Sequence, residues 1–268
     1  MIEGKRIAVV MPAYNAEKTL EATVKGLPDA IDLRILVDDS STDGTAALAE
    51  SLGLRVYVHD RNYGYGRNQQ TCYREALAAG ADIVVMVHPD YQYDPRLAAP
   101  LAGMVACGSC DVALGSRILG GGARRGGMPL YKYFANRVLT LIENLFLGAK
   151  LSEYHTGYRA FSREVLLALP LLENSDDFVF DNEVLAQTVF FGYRIGEISC
   201  LARYFEEASS INFRRSVRYG FGVLATTAKF ALQKMGLMKF RIFKATGRKL
   251  DLNYYSTGAR EAAAARLA

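Results

Sequence analysis

The sequence predicts an α/β fold, a mostly parallel sheet with helices on both faces. Three observations predict it. Short apolar runs rich in valine and isoleucine alternate with helical stretches through the first half of the chain. The run Ile83-Val84-Val85-Met86-Val87 reads as a buried strand. It stops at once in His88-Pro89-Asp90-Tyr91-Gln92-Tyr93-Asp94-Pro95, where two prolines bracket residues that suit neither helix interior nor sheet ladder. A strand that ends in His, Asp and Gln delivers polar groups to the carboxyl edge of a sheet, where open α/β sheets hold their ligands. The plainer reading of that segment is an ordinary surface turn.

In chain order, residues 6–11 form the first strand, broken by Pro12-Ala13-Tyr14-Asn15. Asn15 is placed to cap a helix from 16 to about 26. Residues 33–37 form the second strand, ending in Asp38-Asp39-Ser40-Ser41, and Asp43 can cap a helix over 44–52. A third strand covers 54–58. The turn Asn62-Tyr63-Gly64-Tyr65-Gly66-Arg67 feeds a helix to about 79, and the central strand at 83–87 follows. The second half is less regular. A helix is expected from 96 to about 107, then a short strand over 111–114 ending in Gly115-Ser116-Arg117. Five glycines in residues 120–127 predict a mobile loop. Helices are expected at about 129–147, 162–169 and 181–191, a strand over 194–200, and a basic, apolar-rich helix from about 217 to 238. No internal repeat or linker is visible. Residues 1–240 read as one domain, with halves 1–117 and 118–240, and 241–268 read as a tail.

Composition narrows the function. The chain has 268 residues, half of them hydrophobic, enough for one large domain. Its net charge of +4 is too mild to suggest nucleic acid, and it suits anionic small molecules or an anionic membrane surface. Cys107 and Cys110 form one CxxC, without the second ligand pair that zinc needs. The motif closes a helical stretch, whereas a thioredoxin-type motif opens one. The four cysteines therefore read as reduced, structural thiols in a cytoplasmic compartment. No signal-peptide pattern and no run of about 20 apolar residues is visible, so no transmembrane helix is expected.

The strand ends also exclude chemistry. Neither of the first two carries the GxGxxG turn that brings backbone against a dinucleotide, and Gly64 and Gly66 follow the wrong strand. No Walker A motif exists. Carboxylates at strand ends suit base and ribose hydroxyls instead, and a divalent metal that neutralises a diphosphate.

The set Pro12-Ala13-Tyr14-Asn15, Asp38-Asp39-Ser40-Ser41-Thr42-Asp43-Gly44, Asn62-x-Gly-x-Gly and Gly115-Ser116-Arg117 resembles, in order and spacing, the family 2 glycosyltransferases of GT-A fold. Thr156-Gly157-Tyr158-Arg159-Ala160-Phe161-Ser162-Arg163 and Phe180-Asp181-Asn182-Glu183 are similar to the branch that contains dolichyl-phosphate mannosyltransferase and bacterial polyprenyl-phosphate enzymes. The resemblance spans about residues 5–230. It implies a GT-A, Rossmann-like sheet whose first half, 1–117, binds the nucleotide sugar and whose second, 118–240, binds the acceptor, with amphipathic helices near the end.

By that resemblance Pro12, Tyr14 and Glu17 line the nucleobase pocket with Asp39, and Arg67 lies near the nucleotide. Residues 88–92 replace the family's Asp-x-Asp-x-Gln, which holds metal and ribose. Asp90 and Gln92 match its second Asp and its Gln, and His88 stands where the first Asp should be. A carboxylate is a hard ligand for magnesium or manganese, and an imidazole prefers softer ions. His88 is thus open to two roles, metal ligand or hydrogen-bonding group. Arg117 faces a donor or acceptor phosphate, Arg124 and Arg125 can clamp one bidentately or stay solvated, and Arg159 follows the acceptor-side turn. Arg203, before Tyr204, matches an arginine near the donor phosphates. Glu206-Glu207-Ala208-Ser209-Ser210 departs from the family, with Ile211 in place of its lysine.

An acceptor phosphate, with a second pKa near 6, is already a nucleophile at neutral pH. A sugar hydroxyl needs a carboxylate base, and Asp181 and Glu183 are the candidates, with Asp176 and Asp177 as alternates. These acids also suit a helix N-terminus electrostatically. Residues 129–147 and 217–238 interleave aromatic and basic residues at helical spacing, which fits peripheral contact with an anionic leaflet or packing in a core. The expected activity is inverting transfer of a sugar from a nucleotide-diphosphate donor, aided by manganese or magnesium, to a polyprenyl phosphate at the cytoplasmic face of a membrane. Transfer to a saccharide hydroxyl of a growing glycan, and non-catalytic binding of a nucleotide sugar, are the alternatives.

Overall fold

The strand Ile7–Ala13 (β1) is buried at all seven positions, as expected of a strand flanked by neighbours and covered on both faces. Its side chains alternate between two cores: Ala8 and Val10 enter one, Ile7, Val9 and Met11 the other. The computed structural model describes residues 1–203 and 213–252, so the segment 206–211 and the end of the expected tail lie outside the described residues. Around β1 stand Leu33–Asp38 (β2), Arg55–Val58 (β3) and Ile83–Met86 (β4), all parallel. The crossover helices are Glu17–Lys25 (α1), Thr45–Ser51 (α2) and Tyr65–Ala78 (α3). The expected α/β sheet is present as seven strands in the order β3-β2-β1-β4-β6-β5-β7, where β5 is Val112–Ser116, β6 is Arg159–Ser162 and β7 is Ile195–Ser199. Helix α4 (Ala98–Ala106) leads to β5.

Strand β6 was not expected. It runs antiparallel between β4 and β5, pairing Met86 with Arg159 and Val112 with Phe161. Four residues opening on an arginine carry no apolar pattern. Arg159 is nevertheless fully buried, because its guanidinium donates to the carbonyls of Thr156 (2.6 Å), Asp181 (2.6 Å) and Tyr154 (3.2 Å).

Three other expectations are corrected. Asn15 does not cap α1, whose cap position is Ala16. It adopts φ 52°, and its Oδ1 accepts from the Thr42 amide at 2.9 Å, tying the first two strand-end loops together. Residues 120–127 form a folded turn followed by the short helix Gly122–Arg125 (α5). Two of the glycines there serve close approach: a Cβ at Gly122 would lie 2.5 Å from the Cys200 carbonyl, and one at Gly126 would lie 1.7 Å from that of Ala202. Residues 241–250 are anchored to the core by three side chains rather than forming a tail. Ile242, Phe243 and Leu250 are buried, and Phe243 lies 4.9 Å from Phe190 between ring centroids.

The remaining helices are Leu130–Leu147 (α6), Arg163–Ala168 (α7), Phe180–Phe190 (α8) and Phe213–Lys234 (α9). Helices α6 and α9 pack on each other. The four cysteines are unpaired. Among the described residues no helix is long and apolar enough to cross a membrane.

Candidate functional site

Strand order reverses at β1: β2 and β3 extend to one side, and the chain then crosses to β4 on the other. Crevices at the carboxyl ends of strands hold ligands at such a switch point. A cavity of about 670 Å³ opens there. Pro12, Tyr14, Asp39, His88, Asp90, Gln92, Arg117 and Asp181, drawn from widely separated segments, all line it.

Asp39, just past β2, is held from three directions. Its carboxylate accepts from His59 Nδ1 (2.7 Å) and from the amides of Tyr63 and Gly64 (2.9 Å each). The turn before α3 is therefore an amide cradle for this acid, and Gly64 supplies the positive φ of 98° that the turn requires. His59 escaped the sequence reading, since one histidine after a short strand carries no spacing signal. Tyr14 stands largely exposed at the cavity mouth.

The segment after β4 carries His88, Asp90 and Gln92. Asp90 Oδ1 accepts from the Gln92 amide at 3.0 Å, and Gln92 is buried. The His88 ring stacks on Tyr65, with centroids 5.5 Å apart and planes at 15°. His88 Nε2 is 3.1 Å from the Tyr65 hydroxyl, which donates to Asp181 Oδ2 at 2.7 Å. Burial, and then the Asp181 charge, push the Tyr65 phenol well above its usual range, so it remains a donor. Asp181 Oδ1 accepts from Gln69 Nε2 at 2.9 Å and lies 3.5 Å from Arg159 Nη1. Both oxygens of Asp181 are thus engaged by the protein.

Of the expected residues, Asp177 lines the cavity, whereas Arg124, Arg125, Arg159, Asp176, Glu17, Arg67, Glu183 and Arg203 do not. Glu17 accepts from the Gly44 amide at 3.0 Å. Arg67 Nε is 3.2 Å from Asp176 Oδ1. Glu183 accepts from the Ser175 amide at 2.6 Å. The Arg203 amide donates to the Gln92 carbonyl at 2.8 Å, and its guanidinium sits over the Tyr91 ring. Each is tied to a neighbouring loop. Arg124 and Arg125 are exposed on α5.

The other side of the cavity is cationic. Arg117, Lys132 and Arg215 line it. The Arg117 guanidinium donates to Glu153 through Nε (2.9 Å) and Nη2, and to the His155 carbonyl. Burial raises the Glu153 pKa, but the Arg117 charge and hydrogen bonds outweigh it and hold the acid below its usual range. Burial, and then Arg117, lower the Lys132 ammonium. His155 also lines the cavity, with Nδ1 at 2.8 Å from the Tyr219 hydroxyl and Nε2 at 3.2 Å from the buried Glu143. Neither His155 nor Glu143 was singled out in the sequence, since a glutamate in an amphipathic helix ordinarily reads as solvated.

Among the described residues no three or more His, Cys, Asp or Glu side chains stand together as a ready metal cage. The donor set fits a divalent ion in another way. Magnesium and manganese are commonly held by one or two carboxylates together with substrate phosphates, and Asp90 is a part-exposed carboxylate on the cavity wall.

Comparison with known proteins shows the family and the fold. The model of glycosyl transferase family 2 matches residues 8–169. The polyprenol monophosphomannose synthase of Mycolicibacterium smegmatis is 30% identical over 203 residues, covering 72% of this chain and 76% of that protein. An uncharacterized protein of Methanocaldococcus jannaschii is 29% identical over 235 residues, 87% of this chain and 94% of its own length. The low-salt glycan biosynthesis hexosyltransferase Agl6 of Haloferax volcanii is 34% identical over 164 residues, but the match spans 59% of this chain and only 38% of that protein. Among solved structures, glucosyl-3-phosphoglycerate synthase of Mycobacterium tuberculosis, in complex with Mg2+ and uridine-diphosphate, superposes with a TM-score of 0.65 at 23% identity. That alignment covers 88% of this chain and 81% of the other, a likeness of fold.

Proposed function

Because the chain belongs to glycosyl transferase family 2, we propose that this glycosyltransferase moves a sugar from a nucleotide-diphosphate donor to a polyprenyl phosphate, with inversion at the anomeric carbon. One observation carries the acceptor. Helices α6 and α9 supply Lys132, Asn136, Arg215 and Tyr219 to the cavity wall. On their outer faces the same helices expose Phe134, Val138, Leu141 and Leu145, and Val217, Phe221 and Leu224. Both sets recur every three or four residues, which makes each a stripe along its helix. A ligand with an anionic head in the cavity and an apolar tail along the stripes matches both surfaces. Two further relatives point the same way, an undecaprenyl-phosphate mannosyltransferase of Micrococcus luteus and a dolichyl-phosphate hexose transferase of Haloferax volcanii.

In this reading the first half of the chain, 1–117, holds the donor. Tyr14 and Pro12 flank the nucleobase, and Asp39, fixed by His59 and the two amides, presents an acceptor to it. Asp90 and Gln92 would hold a divalent ion, whose charge would balance the negative charge of the diphosphate. Arg117, Lys132 and Arg215 orient the acceptor phosphate. One of its oxygens attacks the anomeric carbon from the face opposite the diphosphate. The new carbon–oxygen bond forms as the old one breaks, and the electron pair leaves on the diphosphate. No proton needs removal, because a phosphate monoester is already anionic at neutral pH. That suits a cavity in which Asp181 is committed to three protein donors and Glu183 lies off the wall. A sugar hydroxyl as acceptor would need a carboxylate base, either Asp181 freed from those donors or the alternate Asp177, which lines the cavity.

The test is a transfer assay with nucleotide sugars, a short-chain polyprenyl phosphate and a soluble oligosaccharide. Product is expected only with the lipid phosphate, and with divalent metal. Transfer to the oligosaccharide alone would replace the phosphate acceptor by a hydroxyl.

A further inference from the structure

We propose that Tyr65 is a positioning residue that fixes His88 as its Nε2–H tautomer, so that His88 meets the cavity as a neutral hydrogen-bond acceptor through Nδ1. The tautomer follows from a chain of donors. The Tyr73 hydroxyl donates to Gln69 Oε1 at 2.9 Å, which turns Gln69 Nε2 toward Asp181 Oδ1. Tyr65 donates to the other oxygen of the same carboxylate. A phenol has one proton, so toward His88 its oxygen can only accept. His88 Nε2, 3.1 Å away, must therefore carry the hydrogen. A neutral imidazole has a single N–H, which leaves Nδ1 with its lone pair. No described residue hydrogen-bonds Nδ1, while the side chain lines the cavity.

The arrangement accounts for an imidazole where a carboxylate is expected. What both offer is a lone pair, and His88 offers it without charge. A ribose hydroxyl or a divalent ion would use that lone pair equally. That either is the occupant rests on the donor site proposed above, whereas the tautomer does not.

Long-range ¹H–¹⁵N correlation spectra of the ligand-free protein read the tautomer directly, and only three histidines need assignment. The wild type is expected to show His88 as Nε2–H. In Asp181→Asn, Gln69 and Arg159 keep the side-chain oxygen on their side, so the new amide NH₂ faces Tyr65. Tyr65 then turns its proton to His88 Nε2, and the spectrum inverts to Nδ1–H. Tyr65→Phe removes the partner and gives a mixture. A purely structural Tyr65 would not produce the inversion. A wild-type Nδ1–H signature, or an Asp181→Asn variant that keeps Nε2–H, would overturn the proposal. With the tautomer in place, diamagnetic Mg2+ is added alone, and UDP and GDP are added with and without it. A shift of Nδ1 with nucleotide in the absence of Mg2+ marks a hydroxyl partner, and a shift that needs Mg2+ marks the ion; both support the acceptor. The expected tautomer with no shift under any condition leaves Tyr65 in its role and makes the donor-site reading the one that fails.

Discussion

His88 leaves no room for a side chain at Gly157. A Cβ there would lie 2.5 Å from Nε2 and 2.7 Å from Cδ2 of the ring. The ring has no easy retreat, because it stacks on Tyr65 and bonds its hydroxyl. The turn that leads from α6 into β6 is therefore fitted to the strand-end histidine. Gly157→Ala is expected to displace the ring and lower kcat/KM on the order of 10²-fold, the cost of a misplacement of about 1 Å in a catalytic site. The melting temperature should stay within a few degrees, since the position is at the cavity rather than in the core. Wild-type kinetics in this variant would show that His88 does not touch the donor.

Asp90 is the charged member of the β4-end segment that lines the cavity. Asp90→Asn keeps the shape and an oxygen for the Gln92 amide, but removes the charge that a divalent ion requires. Transfer should fall by roughly 10²-fold or more, the scale of losing one electrostatic contact to a transition state. Nucleotide affinity measured calorimetrically should lose its metal dependence. Near-normal turnover would mean that the ion, and so the diphosphate, sits elsewhere.

Glu183 and Asp181 stand two residues apart on α8 and are expected to behave differently. Burial pushes the Glu183 carboxyl above its ordinary 4.5, and the Ser175 amide and Lys229 offset this only in part. A carboxyl raised in the folded state loses stability as pH rises through its unfolded value toward its folded one. Glu183→Gln keeps an acceptor for Ser175 without the buried charge. It should match the wild type in thermal melts below about pH 4 and exceed it at pH 7, with transfer retained. Loss of transfer in a well-folded Glu183→Gln protein would return this residue to the list of bases.

Much of the fold was legible because it rests on local pattern. The runs at β1, β2 and β4 are apolar throughout, and Gly64, Pro12 and Asp39 mark the strand ends by residue type alone. Strand β6 was not legible, because its arginine is satisfied by carbonyls of Thr156, Tyr154 and Asp181 that only the tertiary fold assembles. Five glycines in 120–127 suggest freedom by residue type, but Gly122 and Gly126 serve contact with the backbone of 200–202, which only the fold shows. At the site, the sequence pointed to the strand-end residues that line the cavity. It could not tell Asp181 from Glu183, since which of two acids on one helix turn faces a cavity depends on the helix's rotation against α3. Nor could it show the partners that set each group's state, such as His59 on Asp39 or Tyr65 on His88.

The apolar stripe of α6 gives the membrane reading its sharpest test. Leu141 and Leu145 are 68% and 75% exposed, too open to contribute to the core. Burying a leucine fully is worth about 1.5–3 kcal/mol, so even partial insertion of both into a leaflet makes a measurable difference. Arg214 and Arg218 are exposed on α9, and each basic residue near an anionic surface adds about 1 kcal/mol. That electrostatic part is screened as the Debye length falls from about 10 Å at 0.1 M salt to about 3 Å at 1 M, while the apolar part is not. Flotation with vesicles containing anionic lipid should therefore show reversible binding that weakens with salt. Leu141→Asp combined with Leu145→Asp should lower the bound fraction by roughly tenfold or more at either salt level, because it removes apolar area and adds like charge. Thermal melts of the double variant check that the helix remains folded. A wild-type protein that stays unbound at low salt would remove the lipid surface from this reading and favour a water-soluble acceptor.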